Sequence, residues 1–127
     1  MKLFTLSLLF CINVSADIAN VTLSSEKTLY IVDGDSISMQ MRIAGIDTPE
    51  MQQKCRQTKS KIIDCGRLAK DYLKQVLQNL PGELLIEPAG IDHYNRILVK
   101  VYKGDVDIGQ LMVEAGIAFS YKDTYRQ

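Results

Sequence analysis

The chain has 127 residues, of which 46% are apolar and 24% are charged, and its formal net charge is zero. This composition suits one globular domain with a modest core, and it excludes a disordered, collagen-like or multi-span membrane protein. Zero net charge also means that no overall basic field marks the chain as a nucleic-acid binder.

Residues 1–16 have the pattern of a secretory signal peptide. A basic residue, Lys2, is followed by about 12 apolar residues and by a small-residue cleavage site ending at Ala16. This apolar run is too short for a membrane span, which needs roughly 20 residues. We therefore predict a secreted or periplasmic protein whose mature domain covers residues 17–127, with no stable membrane association.

Export changes how the three cysteines are interpreted. Cys11 would leave with the signal, whereas Cys55 and Cys65 would remain as an even pair in an oxidising compartment. A disulfide between them would close a loop of about 11 residues and stabilise the fold by roughly 2.5 to 3 kcal/mol through loop entropy. Two free thiols are the alternative, because neither a second cysteine pair nor a nearby histidine completes a zinc site.

The spacing of apolar residues changes from a period of two to a helical period and back, which predicts an α+β fold. Alternating residues predict short strands around 21–23, 29–31, 37–39 and 42–46, with a turn at Asp33-Gly34-Asp35. The next segment, Gly66 to Leu80, has one apolar stripe at helical spacing and stops at Pro81-Gly82.

The remaining elements complete a barrel-like pattern. Strands are predicted over Glu83–Glu87 and Arg96–Tyr102 with a loop at 89–95, and a short helix from the cap Asp107 to Gly116. About five short strands, with a helix between the third and the fourth, suggest a five-stranded OB-fold barrel with two or three helices.

Four carboxylates lie at or just beyond predicted strand ends: Asp33, Asp35, Asp47 and Glu50. If the two turns that carry them come together, they form the oxygen-rich cluster that hard divalent cations prefer. Taken singly, each is typical of an ordinary turn or loop.

Two arginines accompany these carboxylates. Arg42 and Arg96 each stand in or at the start of a strand beside such a turn, and their planar guanidinium groups match phosphate oxygens. Either arginine alone is typical of a surface. Only the combination indicates phosphoryl transfer chemistry.

Three segments together resemble the staphylococcal nuclease-like family: Val32–Ser36, Met41–Glu50 and Asp92–Arg96. The order, residue types and approximate spacing agree, and the pairing of D-G-D-[ST] with R-x-x-G-I-D-[TA]-P-E is specific. The resemblance extends from about Leu29 to Tyr121. The stretch between Cys55 and Cys65 is similar to the exported bacterial branch.

The resemblance implies an OB-fold nuclease that cuts DNA and RNA with Ca²⁺ and leaves 3′-phosphate ends. By this resemblance, Asp35 and Asp47 supply metal carboxylates, Thr48 supplies a backbone carbonyl, and Asp33 lies nearby. Glu50 matches the residue that positions or deprotonates the attacking water.

The other roles implied by the resemblance concern the substrate. Arg42 and Arg96 match the two arginines that bind the phosphate and stabilise the developing charge. Tyr94 matches a nucleotide contact. Tyr121 is either the family's nucleotide-stacking tyrosine or an aromatic that covers the barrel end.

The chain departs from the family pattern in two places. Six residues separate Asp35 from Arg42, so the hairpin expected there is much shorter than usual. The sequence also ends eleven residues after Gly116, where the family continues into a third helix. We therefore expect either a shortened member that relies on its disulfide or a marginally stable one.

These observations predict a monomeric, exported, calcium-dependent and sugar-nonspecific endonuclease. The first alternative is a non-catalytic nucleic-acid-binding module on the same barrel. A calcium-stabilised structural domain is the second alternative, and it leaves the paired arginines unexplained.

Overall fold

The structure is a computed structural model that describes Leu23 and residues 29–123. The predicted signal peptide, its cleavage site and most of the strand predicted around 21–23 lie outside the described residues. Within the described part of the chain, no helix is both long enough and apolar enough to cross a membrane.

Short strands and two α-helices alternate along the chain, as the α+β pattern predicts. The strands are β1 (Leu29–Ile31), β2 (Ile37–Met39), β3 (Met41–Ile43), β4 (Ile46–Asp47), β5 (Cys55–Arg56), β6 (Ile62–Ile63), β7 (Leu84–Ile91), β8 (Ile97–Lys103), β9 (Val106–Asp107) and β10 (Phe119–Ser120). The helices are α1 (Cys65–Asn79) and α2 (Ile108–Glu114), and a 3₁₀ turn follows at Tyr121–Asp123.

The central strand is β8, which pairs antiparallel with β7 and β9 and parallel with β3. Three further two-stranded pairs stand outside this sheet: β1 with β2, β4 with β10, and β5 with β6. The α+β class is therefore confirmed. Pairings among the described residues do not join into a ring, so the closed five-stranded barrel stays a prediction.

The core forms where one face of β8 meets α2. Ile97, Val99 and Val101 alternate along β8 and are buried, as are Ile108 and Met112 on α2. Alternation places every second strand residue on the same face, and a spacing of four does the same on a helix. The intervening residues of β8 face away from this core.

The hairpin predicted between Asp35 and Arg42 is wrong. Only Gln40 separates β2 from β3, and a hairpin needs a loop of about two residues, so these strands follow one another instead of pairing. The predicted turn at Asp33-Gly34-Asp35 is confirmed, because β1 and β2 form a hairpin whose turn covers residues 32–36. Asp35 is therefore separated from Arg42 by a segment of chain that would span about 23 Å if it were fully extended.

The loop predicted at residues 89–95 is also shorter than expected. Strand β7 continues to Ile91 because a β-bulge between Pro88 and Gly90 absorbs the proline, which has no N–H to donate to the ladder. Gly90 has a φ of 134°, a conformation that side-chain-bearing residues rarely adopt.

The predicted disulfide between Cys55 and Cys65 is present, and their Cα atoms are 5.6 Å apart. It ties the small β5–β6 hairpin, absent from the sequence prediction, to the first residue of α1. The loop that begins with the family motif is thereby fixed to the long helix.

Replacing both Cys55 and Cys65 with serine should lower the free energy of unfolding by about 2.5 to 3 kcal/mol, because the unfolded chain regains loop entropy. Urea denaturation of the oxidised protein and the double variant measures the difference. Equal midpoints and slopes for the two proteins would contradict a stabilising bond.

Candidate active site

Arg42, which is predicted to bind phosphate, is in direct contact with Asp47, which is predicted to bind the metal. Arg42 is on β3, and Gly45, with a φ of 77°, turns the chain so that β4 brings Asp47 back beside it. Arg42 Nη2 donates to Asp47 Oδ1 at 2.7 Å. The Asp47 side chain is 58% exposed, so it remains accessible to solvent and to ions.

A cavity of about 340 Å³ opens between β3 and α1 beside this pair. Three of the predicted site residues line it, namely Arg42, Thr48 and Glu50. The remaining walls are mainly apolar, with one further cation, and consist of Met41, Ile43, Ile46, Pro49, Met51, Gly66, Ala69, Lys70, Leu73 and Met112. Charged groups therefore meet at the edge of a largely apolar cleft.

Glu50 is held in place by the start of α1. A Cβ atom added to Gly66 would lie 1.7 Å from the Glu50 carbonyl oxygen, so helix and loop touch through their backbones. Gln53 closes the loop, because its N–H donates to the Glu50 carbonyl at 2.8 Å and its side-chain oxygen accepts the Glu50 N–H at 3.2 Å.

The sequence analysis assigned no site role to Gly66 or Lys70. Helical spacing could have identified both residues. One face of α1 lines the cavity and carries Gly66, Ala69, Lys70 and Leu73. Lys70 adds a cation to the cleft that holds Arg42.

The parallel register of β3 with β8 relates the two arginines. Arg42 is opposite Leu98, and Arg96 precedes Leu98 by two residues. Paired residues in parallel strands point to the same side, so Arg42 and Leu98 belong to one row of side chains. Arg96 immediately precedes β8, and strand alternation extended by one residue would place it in the same row. That row lies opposite the face that β8 buries.

Arg96 belongs to a tightly bonded loop whose centre is Asp92. Asp92 Oδ1 accepts the backbone N–H groups of Tyr94 and Arg96, each at 2.9 Å. Its Oδ2 accepts Arg96 Nε–H at 2.7 Å. The sequence analysis quoted Asp92 within the family motif without giving it a role.

Tyr94 is presented on the outside of this loop, with 65% of its surface exposed. Its ring centroid is 4.0 Å from that of His93, and the Arg96 guanidinium carbon is 5.1 Å from the Tyr94 centroid. An exposed aromatic ring beside an arginine that is predicted to bind phosphate suits base stacking. Its predicted role as a nucleotide contact stays a prediction.

Tyr121 lies near Asp47. Its N–H donates to the Gly45 carbonyl at 2.8 Å, and the preceding strand β10 pairs Phe119 with Asp47. The Tyr121 ring is exposed, with Lys122 Nζ 5.4 Å from its centroid. This position is compatible with either predicted role for Tyr121.

Asp33 and Asp35 occupy the exposed turn of the β1–β2 hairpin. Asp33 Oδ1 accepts the Asp35 N–H at 3.2 Å, and Ser36 Oγ donates to Asp35 Oδ1 at 3.0 Å. Hydrogen bonds from Ser36 and Asp35 hold the pKa of the Asp33 carboxyl below its ordinary value. Across Leu23 and residues 29–123, no three Asp, Glu, His or Cys side chains group closely enough to hold a metal ion.

Two arginines of this α+β domain, Arg42 and Arg96, are thus each bonded to a carboxylate. The family described as "Staphylococcal nuclease homologue" matches residues 40–127 of this chain. The chain is also 26% identical over 121 residues to the thermonuclease of Staphylococcus hyicus, covering 88% of this chain and 69% of that protein. The chain belongs to the staphylococcal nuclease homologue family, which confirms the sequence resemblance.

Gly66→Ala should destabilise the protein by about 1–3 kcal/mol, because the new methyl group overlaps the Glu50 carbonyl and must push loop and helix apart. Gly34→Ala is the matched control, since a Cβ there has no atom within 4 Å. Thermal unfolding of both variants checks this. Equal losses would show that α1 does not depend on this close approach.

The Asp92 carboxyl is expected to stabilise the fold in a pH-dependent way. Burial raises its pKa, but hydrogen bonds from the Arg96 and Tyr94 N–H groups and the Arg96 charge outweigh this and hold it below the ordinary value of 3.8. A lowered folded pKa gives stability that is complete above the ordinary value and is lost as pH falls through the folded value.

The melting temperature of wild type should therefore exceed that of Asp92→Asn by a constant margin near neutral pH. The margin should shrink as pH falls below about 4, where the unfolded carboxyl protonates, and it should be smallest below the lowered pKa of the native carboxyl. Calorimetry from about pH 7 to about pH 2 follows both proteins. A margin that stays constant down to the lowest pH would contradict the lowered pKa.

Proposed function

We propose that this protein is a calcium-dependent, sugar-nonspecific endonuclease that hydrolyses phosphodiester bonds of DNA and RNA and leaves 3′-phosphate ends. The observation that carries the proposal is the cavity between β3 and α1, where Arg42, Thr48 and Glu50 meet beside Asp47. Membership in the staphylococcal nuclease homologue family supports a nuclease hydrolase.

The two arginines bind the scissile phosphate. Arg42 lies on β3 and Arg96 immediately precedes the parallel neighbour β8, which suits contact with different oxygens of the same phosphate group. Negative charge on these oxygens grows as the attacking water bonds to phosphorus. Donors that are already oriented toward that charge typically contribute a few kcal/mol each to transition-state stabilisation.

Glu50 is the candidate base that receives a proton from the attacking water. It lines the cavity with Arg42, and its backbone is fixed by Gly66 and by the Gln53 loop. A fixed backbone limits the positions that the carboxylate can reach. General bases act only within hydrogen-bond distance of the proton that they accept.

The donors assigned to the metal fit calcium because all of them are oxygens. Asp47 and the Thr48 carbonyl come from one loop, and Asp35 with nearby Asp33 comes from the exposed turn. Calcium tolerates loose geometry with waters and substrate oxygens in its shell, so few protein ligands suffice. When bound, the ion supplies positive charge beside the scissile phosphate. A ligand role for Asp35 requires the β1–β2 hairpin to approach Asp47.

The proposal extends to the form of the protein in solution. In it, the signal over residues 1–16 is removed and residues 17–127 act as a monomer in the periplasm or outside the cell. The same proposal includes a closed five-stranded OB barrel. Among the described residues β7 pairs only with β8, and closure would require a further neighbour along its other edge.

Purified protein should degrade both plasmid DNA and RNA in Ca²⁺, and chelator should abolish the cleavage. Mg²⁺ should replace Ca²⁺ poorly, because it demands strict octahedral geometry. Gel assays with end-group analysis would reveal 3′-phosphates. Cleavage that persists in chelator, or equal rates in Mg²⁺, would contradict calcium dependence.

Glu50→Gln should lower the turnover rate by roughly 10²- to 10⁴-fold, because an amide cannot accept the proton. Affinity for a labelled single-stranded DNA in Ca²⁺ should stay near the wild-type value, since the arginines are intact. Fluorescence anisotropy and a fluorogenic oligonucleotide give the two quantities at one fixed salt concentration.

The same pair of measurements separates an enzyme from a binding module. If wild type and Glu50→Gln bind DNA alike and neither cleaves it, the protein is a nucleic-acid-binding module. If Glu50→Gln cleaves at the wild-type rate, the base is a different group.

A further inference from the structure

We propose that Asp92 is a positioning residue of the active site, which orients the Arg96 guanidinium and the Tyr94 backbone toward the substrate. The inference rests on the proposed function, since it concerns the same phosphate. Asp92 itself does not touch the substrate in this proposal. It acts through the loop that it holds.

One carboxylate makes three hydrogen bonds to this loop. Oδ1 accepts from the N–H groups of Tyr94 and Arg96, and Oδ2 accepts from Arg96 Nε–H at 2.7 Å. The Asp92 side chain is only 13% exposed, compared with 30% for Arg96, so solvent competes little for these bonds. Charge-assisted hydrogen bonds of this length are among the stronger ones in proteins.

The loop backbone is closed around the same residue. The Asp92 N–H donates to the Arg96 carbonyl at 3.1 Å, and the Asn95 N–H donates to the Asp92 carbonyl at 2.9 Å. Asn95 has a φ of 63°, a left-handed conformation that asparagine tolerates better than most residues. Backbone and carboxylate bonds together leave the loop few alternative conformations.

The choice of guanidinium nitrogen matters for phosphate binding. Asp92 engages Nε of Arg96, so the two terminal nitrogens are the pair that suits two oxygens of one phosphate. Arg42 differs, because its contact with Asp47 uses the terminal nitrogen Nη2. Arg96 is thus oriented by a residue outside the predicted metal ligands, and Arg42 by one of them.

Orientation in advance removes part of the entropy cost of reaching the transition state. A flexible arginine must be ordered when charge develops on the phosphate, whereas Arg96 is already ordered by Asp92. Loss of Asp92 should therefore affect turnover more than substrate affinity. A displacement of about 1 Å at a reacting centre can cost about 10²-fold in rate.

Asp92→Asn is the informative substitution, because it keeps Oδ1 as an acceptor for both backbone N–H groups and replaces Oδ2 with an NH₂ group. We expect kcat to fall about 10- to 100-fold while KM changes less than about threefold. Asp92→Glu retains the charge and should recover part of kcat. Glu114→Gln removes a carboxylate that accepts from Gln110 Nε2 at 2.7 Å on α2, and it should leave both constants unchanged.

A double-mutant cycle with Arg96→Ala tests whether Asp92 acts through Arg96. In the Arg96→Ala background, Asp92→Asn should change kcat less than about twofold, because the oriented group is already absent. An equally large fall in both backgrounds would overturn the proposal. So would a rise in KM at unchanged kcat.

A nuclear magnetic resonance measurement keeps the test independent of catalysis. The Arg96 Nε–H signal should be protected from exchange in wild type and in Glu114→Gln, and it should lose protection in Asp92→Asn. A signal that is unaffected by Asp92→Asn overturns the inference whatever the activity.

If wild type does not cleave but the signal depends on Asp92, the proposed function has failed and the positioning contact stands.

Discussion

The parallel pairing of β3 with β8 is the constraint on which the candidate site depends. Parallel neighbours cannot be joined by a tight turn, so the chain must cross over between them. Here the crossover from Ile43 to Ile97 contains the motif loop, the disulfide, α1 and β7. Thr48, Glu50 and Lys70 all lie in this crossover, while Arg42 and Arg96 stand at its two ends. The pairing of β3 with β8 therefore also brings the cavity residues together.

Segregation of the two faces of β8 lets charge and core coexist in so small a domain. Ile97, Val99 and Val101 are buried against α2, and no polar or charged residue in the described part of the chain is buried. The charged residues Arg42, Glu50 and Lys70 line an open cavity, so the site avoids the several kcal/mol that burying an unpaired charge would cost. Asp47, which is 58% exposed, partly neutralises Arg42, and Asp92, which is 13% exposed, partly neutralises Arg96.

Local patterns in the sequence predicted the helices, the disulfide and the family, because helical spacing, an even cysteine pair and the R-x-x-G-I-D segment are all contiguous. The continuity of β2 and β3 was missed, since strand pairing is decided by distant partners. Gly66 was read only as a helix start, because its contact with Glu50 crosses sixteen positions. Asp92 was overlooked for a different reason. Its importance comes from three bonds to Tyr94 and Arg96 that no apolar period reveals.

The contact between Arg42 and Asp47 is compatible with the proposed phosphate site in a chain of zero net charge. Each residue neutralises the other, so this pair adds little net charge to the edge of the cleft. Exposed pairs of this kind contribute only about 0–1 kcal/mol, because water and side-chain entropy oppose them. Exchange of Asp47 for a phosphate oxygen therefore costs Arg42 little. In the proposed function Arg96 keeps its partner during the same event, since Asp92 holds Nε and leaves the terminal nitrogens for the phosphate. One arginine is thus exchangeable and the other is fixed, and the difference follows from which nitrogen each carboxylate binds.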